Sequence, residues 1–322
     1  MAVLVTGAGL IGAQIVRILV EEGERPVVLD LAPQLDAVAD IVAVEPLTVV
    51  RGDILSPLEL ARVIREHWIT RIIHTAANPL LTVGAQRNPY AAIQVNIVGT
   101  VNILEIARTF GLGRVVLTSS AVLSHYLAGG EDGGNAAKEE AFPRPSTFYA
   151  ATKQAVESLG LNYARWCGVD VVIVRFAAAV GPWRGRGGGG PSNMFRELIE
   201  RSLRGEETAL PRRAMEWVYS KDAAAGTVLA LKAGELQSRV FSISMGRVYR
   251  AEEVAETVRR VIPAARIQLQ EVTEAGSAFP EVHDPLDLTR SRVQLGYEPR
   301  YTLEGAVRDY VEWYQRAERG TG

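Results

Sequence analysis

Short apolar runs and stretches of helical spacing alternate along most of this chain. Ala2 to Thr6, Pro26 to Asp30, Leu47 to Val50, Arg71 to Ala77, Gly113 to Ala121 and Asp170 to Phe176 are rich in Val, Ile and other apolar residues. Continuous runs of that length read as strands buried on both faces, the habit of a parallel sheet. Between them, residues 14–20, 57–66, 88–107 and 148–165 place apolar side chains three and four positions apart. That spacing predicts helices with one face on a core. The alternation of the two patterns predicts an α/β fold, a doubly wound parallel sheet. Residues 31–46 read as an irregular connection and 124–145 as a charged, Gly-rich loop. Beyond Phe176 the pieces shorten. Helices are predicted at 193–204, 220–233, 251–262 and 302–317, with one strand at 239–244. The chain thus divides into a sheet-building half, 1–176, and a smaller, mostly helical region, 177–322, part of which crosses back to the sheet.

The first strand runs into Gly7-Ala8-Gly9-Leu10-Ile11-Gly12, a G-x-G-x-x-G turn that opens a helix. Glycines at those places let the chain turn tightly and let a pyrophosphate reach the amides of the helix N-terminus. Strand, turn and helix together point to dinucleotide binding. The second strand ends at Asp30, 18 residues past Gly12, near the ~20 expected of the carboxylate that holds the adenosine ribose. A carboxylate there repels the 2′-phosphate of NADP, so the cofactor reads as NAD. The fourth strand ends in Thr75-Ala76-Ala77, small residues that leave room for a ligand at the sheet's carboxyl edge. His74, just before them, reads as a packed strand residue. Asn96, a poor helix former in the middle of the 88–107 helix, points to a buried role.

Tyr149 and Lys153 lie four apart in the helix that Ser146 or Thr147 can cap, so they share one face about a turn from each other. A nearby ammonium favours the phenolate and draws a tyrosine's pKa down from about 10 toward neutral pH. Such a tyrosine can take a proton from an alcohol or return it to a ketone. Lysine is scarce here: it occurs only at 138, 153, 221 and 232, among 35 basic residues. That scarcity makes Lys153 stand out.

Composition narrows the remaining classes. The chain is 322 residues long, 48% hydrophobic and 22% charged, and carries a net charge of −2, so neither nucleic acid nor an anionic membrane is an expected partner. No basic leader precedes the first strand, and no uninterrupted apolar run approaches the ~20 residues that span a bilayer. A cytoplasmic location is the default expectation. Cys167 is the only cysteine and the four histidines are scattered, so neither a disulfide nor a metal cage is expected. Arg184 to Pro191 includes four consecutive glycines. It reads either as a disordered surface loop or as a mobile lid, with Arg184 and Arg186 able to meet an anion.

Taken together these residues resemble the extended short-chain dehydrogenase/reductase family, in its NAD-dependent epimerase/dehydratase branch of the UDP-glucose 4-epimerase kind. The resemblance covers nearly the whole chain. It rests on the glycine turn, Asp30, Gly52-Asp53-Ile54, His74 to Ala77, Asn96 with Gly99-Thr100, Thr118 to Ala121, Tyr149 with Lys153, Gly181-Pro182, and the segments Asp287–Tyr297 and Trp313-Tyr314. It implies a Rossmann-type fold with a C-terminal substrate-binding region. Tyr149 would be the general acid/base, Lys153 would bind the nicotinamide ribose, and Ser120 would hydrogen-bond the reacting oxygen. Gly7, Gly9, Leu10, Ile11 and Gly12 would cradle the pyrophosphate. Asp53 and Ile54 would border the adenine, with Ala76 and Asn96 also on the cofactor. Asn193 matches a substrate-contacting position. Through helices 88–107 and 148–165 relatives dimerise, which implies a homodimer.

Departures from the pattern shape the functional expectation. The opening turn is one residue shorter than the usual T-G-x-x-G-x-x-G. Ala178 stands where the branch carries a substrate-binding Asn, and Met215 where it carries an Arg. No Arg lies between Glu271 and Leu288, where a second diphosphate contact is expected, and losing the two charge-assisted arginine contacts, each worth about 1.5–3 kcal/mol, argues against a sugar nucleotide. Ser120 is followed by Ala121-Val122 rather than the Asp-Glu of dehydratases. The resulting expectation is an NAD-dependent dehydrogenase of a small sugar, sugar acid or hydroxy acid. A nucleotide-sugar 4-epimerase with tightly bound NAD is the alternative, and a cofactor-sensing regulator the third.

Overall fold

The computed structural model describes residues 2–77, 88–123, 145, 147–271, 282 and 284–320. Strands β1 (Ala2–Thr6), β2 (Val27–Asp30), β3 (Thr48–Arg51), β4 (Ile69–His74), β5 (Val115–Ser120) and β6 (Val171–Phe176) form in turn. The chain then passes through β7 (Ala178–Val180), β8 (Glu207–Pro211) and β9 (Met215–Tyr219) before β10 (Val240–Ile243) returns to the sheet. The seven strands run in the order β10-β6-β5-β4-β1-β2-β3, every neighbouring pair parallel. The order reverses between β1 and β4, which makes the carboxyl ends of those two strands the ligand-binding crevice of a doubly wound sheet.

Helices α1 (Leu10–Glu21), α2 (Leu35–Ala39), α3 (Pro57–Glu66), α4 (Pro89–Phe110) and α5 (Phe148–Cys167) link the strands of the first half. Their ends follow ordinary capping chemistry. Ser56, Asn88 and Thr147 each accept a backbone N–H of the first turn, and Pro57 and Pro89 follow the first two caps. Gly111 and Gly168 close α4 and α5 in the left-handed conformation. Strand alternation sends Val3 and Val5 to one core and Leu4 to the other. The first core lies under α1 and a later helix, Ser220–Lys232, and the second under α3, α4 and α5.

The second half supplies α6 (Gly190–Leu203), α7 (Ser220–Lys232), α8 (Ala251–Val261), α9 (Thr289–Leu295) and α10 (Leu303–Gly320). It is less purely helical than its spacing predicts. β7 and β9 join β11 (Val248–Tyr249) in one small sheet, and β8 pairs with β12 (Arg266–Gln270) in another. An aromatic cluster of Phe195, Trp217, Tyr310 and Trp313 fills the space between them. The short helix α2 also replaces part of the irregular 31–46 connection.

Helix α4 holds a π turn at Gln94–Val98. By length and composition it is apolar enough to cross a membrane. Its polar side chains, however, are engaged within the protein: Asn96 donates to Thr152 Oγ1 at 3.1 Å and Asn102 to the Ile54 carbonyl at 2.9 Å.

Candidate active site

Gly7 follows β1 with φ +84°, and a Cβ built on it would lie 2.8 Å from Ala76 Cα. A Cβ on Gly12 would lie 1.9 Å from the Gly7 carbonyl oxygen. Both glycines therefore exist to let β1, α1 and the end of β4 close on one another. Gly9 differs: nothing stands within 4 Å of its Cβ position, and the first turn of α1, Leu10 to Gly12, has no side-chain cap. Uncapped amides at a helix start, facing open space, are an anion site. Asp30 is fixed beside this turn, accepting Ala8 N–H and Ala32 N–H at 2.8 Å each. Asp53 accepts Leu55 N–H at 2.9 Å. Ile54 turns its side chain into the space that Gly99 leaves on α4. Amides for a pyrophosphate and a carboxylate for a ribose, set at the switch point, fit a dinucleotide.

The acid/base candidates meet at the next strand end. Ser120 closes β5, and Tyr149 stands in the first turn of α5, near enough for the Ser120 hydroxyl to draw the phenol's pKa down in part. Thr147, not Ser146, caps that helix; Ser146 lies outside the described residues. Lys153 is 6% exposed, donates to the Thr118 carbonyl at 2.8 Å, and stands 5.8 Å from the centre of the Tyr149 ring. Burial lowers the Lys153 pKa to about 8, against an upward pull from Glu157. Burial raises Tyr149 to about 12, opposed only in part by Ser120. This corrects the expectation of a phenol drawn toward neutral pH by the lysine. The ammonium is aimed at the Thr118 carbonyl, and burial of the phenol sets the direction of its shift.

Two further residues are settled by their partners. His74 Nδ1 lies 2.6 Å from Thr6 Oγ1 and Nε2 lies 3.2 Å from Thr100 Oγ1. Thr100 gives its own proton to the Asn96 carbonyl at 2.7 Å, so it accepts from Nε2–H, and Nδ1 accepts from Thr6. Burial and the charge of Lys153 hold His74 near a pKa of about 3. It is a neutral strut between β1 and α4, as its sequence context suggests. Asn96 is 2% exposed and braces α4 against Thr152 on α5, the buried role its place in the helix suggests.

On the substrate side the picture changes more. Ala178 pairs with Trp217, and Met215 with Tyr249, in the small sheet. Asn193 is exposed at the start of α6 and accepts from Arg196 Nη2 at 3.3 Å. Arg184 pairs with Glu318 at 3.1 Å and lies over the rings of Trp313 and Tyr314. Arg186 is exposed, and its backbone is gripped by the Gln34 side chain, which accepts its N–H at 2.5 Å and donates to its carbonyl at 3.0 Å. The Gly-rich segment is thus clasped to the connection after β2 and to α10, which corrects the reading of a disordered loop. The charged 124–145 loop falls almost entirely outside the described residues. Among the described residues, no three His, Cys, Asp or Glu side chains gather as a metal site.

Comparison with known proteins agrees with this geometry. The model of the NAD dependent epimerase/dehydratase family matches residues 3–244. The chain belongs to that family. It is similar to the dTDP-glucose 4,6-dehydratase of Shigella flexneri, 25% identical over 344 residues that cover 98% of this chain and 92% of the relative. It is similar to the UDP-glucose 4-epimerase of Thermus thermophilus, solved in complex with NAD. The TM-score is 0.78 at 26% identity, covering 98% of this chain and 100% of that one. A partial consensus L-threonine 3-dehydrogenase shares the fold, with TM-score 0.83 at 24% identity over 98% of this chain and 100% of that one. Family, Rossmann-type fold and NAD all stand as the sequence suggests. The epimerase/dehydratase family thus spans several chemistries, and membership alone does not choose among them.

Proposed function

We propose that this member of the NAD-dependent epimerase/dehydratase family transfers a hydride at a secondary alcohol or ketone carbon of a small polar substrate, with Tyr149 as general acid/base. The observation that carries the reading is the buried Lys153 ammonium 5.8 Å from the centre of the Tyr149 ring, at the end of β5 that Ser120 closes. An alcohol oxygen placed between the two hydroxyls gives its proton to Tyr149 on oxidation and recovers it on reduction. Ser120 orients that oxygen, and Lys153 supplies the positive charge that favours the phenolate. A phenol held near pKa 12 is protonated at neutral pH. Ketone reduction therefore finds its acid ready, while alcohol oxidation gains speed as pH rises. Bound NAD supplies the hydride acceptor and donor. The glycine turn with Leu10 and Ile11 would hold its pyrophosphate, Asp30 its adenosine ribose, and Asp53 with Ile54 would border its adenine.

A dehydrogenase of a sugar, sugar acid or hydroxy acid is the first reading. Ala178 and Met215 offer a diphosphate no charge, and Arg184 and Arg212 already meet carboxylates of this chain. The second reading is a nucleotide-sugar 4-epimerase. The epimerases among the relatives favour it about as well. Cofactor retention separates the two. A dehydrogenase must exchange its cofactor every turnover, whereas an epimerase regenerates it and can keep it. Protein purified, dialysed and denatured is expected to release little NAD; near-stoichiometric NAD would decide for the epimerase.

We also propose a homodimer through α4 and α5, whose outer faces leave Tyr90, Ile93, Val98 and Leu161 exposed. Light scattering is expected to give twice the mass of the chain, and a single-chain mass at micromolar concentration would rule the dimer out.

A further inference from the structure

Glu157 continues the line of Tyr149 and Lys153, each four residues from the last on one face of α5. It is 6% exposed. Ser119 Oγ donates to its Oε1 at 2.6 Å, Arg175 Nε to the same oxygen at 2.7 Å, and Arg175 Nη2 to Oε2 at 2.7 Å. Ser119 and Arg175 are register partners on β5 and β6, so the carboxylate is clamped across two strands of the central sheet. A bidentate guanidinium is the strongest single partner a buried carboxylate can have. As a salt bridge alone it would need no functional account. Its place does: the charge sits one helical turn from a lysine that burial is stripping of its proton.

Lys153 is faced by the Thr118 carbonyl from β5, by Tyr149 and Glu157 from its own helix, and by the neutral His74 from β4. Arg175 of β6 pairs with Glu157 at 2.7 Å, yet the carboxylate still pulls the Lys153 pKa upward. Among these groups Glu157 alone carries negative charge. We propose that Glu157, clamped by Arg175 and Ser119, is a positioning residue that keeps the buried Lys153 ammonium charged beside Tyr149. This rests on the reading of Tyr149 and Lys153 as the reacting pair, but the charge on the lysine can be measured without turnover. Without the carboxylate, desolvation and the uncompensated Arg175 both push Lys153 toward the neutral amine. The phenolate then loses its stabilising cation.

With lysine at only four positions, the protein labelled with ¹³C at lysine Cε gives four signals, and a Lys153→Met sample assigns the one of interest. The wild-type Lys153 signal is expected to titrate near pH 8. Glu157→Gln is expected to lower that midpoint by about one pH unit or more, and Glu157→Asp, which keeps the charge, to restore most of it. In the same variants the pH at which alcohol oxidation rises is expected to move up for Gln and back for Asp. Should Glu157→Gln not fold, Glu157→Gln combined with Arg175→Met leaves no unpaired buried ion and is expected to show a midpoint still below wild type but lowered by less, because the repulsion from Arg175 is gone as well. A folded Gln or Gln/Met variant whose lysine titrates like wild type overturns the proposal. If Tyr149→Phe retains turnover, the catalytic reading fails instead, and the lysine titration still reports what Glu157 does.

Discussion

Tyr149→Phe is expected to lower turnover by about 10²–10⁴-fold, the range lost with a positioned general acid or base, and to leave NAD affinity nearly unchanged. The substitution removes one oxygen from a half-buried ring near Ser120. The ring, its place in the first turn of α5 and the Lys153 contact with Thr118 all remain. Ser120 keeps contact with the Val122 N–H at 3.3 Å, so little repacking is needed. Steady-state rates with an accepted alcohol, beside NAD titration by fluorescence, make the comparison. Turnover within a few-fold of wild type would remove Tyr149 from the chemistry. A parallel loss of NAD affinity would mean the ring acts by holding the cofactor.

The second large effect belongs to the glycine turn, and its strength lies in a contrast. Gly12→Ala places a methyl 1.9 Å from the Gly7 carbonyl oxygen, where backbone must move. Overpacking of this kind costs about 1–3 kcal/mol, and the shift would carry the α1 amides away from the pyrophosphate position. Loss of measurable NAD binding together with a lowered Tm is the expected result. Gly9→Ala meets nothing within 4 Å in the protein. It is therefore expected to keep the wild-type Tm while weakening NAD, because its methyl enters the space assigned to the cofactor. Calorimetry and NAD titration of the two variants test the assignment. Equal NAD affinity in Gly9→Ala and wild type would place the pyrophosphate elsewhere.

Where the sequence spoke clearly, the signal was local. The strands of the central sheet are apolar runs rich in Val and Ile, and they appear within three residues of the predicted bounds. β7, β8, β9, β11 and β12 escaped notice because they lie in small sheets outside the alternating strand–helix pattern. They are also stabilised by partners far away in the chain, as when Glu207 pairs with Arg266. Arg184 shows the same limit on the scale of a side chain. A guanidinium beside four glycines looks free to meet an anion, until Glu318, 134 residues later, is brought to it. Glu157 was within reach of pattern reading, since it repeats the four-residue step from Tyr149 to Lys153. Arg175, which makes the carboxylate tenable, lies on another strand.

The sequence by itself determined the α/β alternation, the dinucleotide turn, the acid at the end of β2 and the Tyr149–Lys153 spacing. Each of these is set by residues a few positions apart along one element, where backbone geometry alone dictates who shares a face. Only the tertiary structure decided the charge states and partners: the phenol raised by burial, the histidine kept neutral, and Arg184 and the glycine-rich segment clasped to Glu318 and Gln34. Desolvation and ion pairing depend on what the fold packs around a group, and those neighbours come from distant parts of the chain.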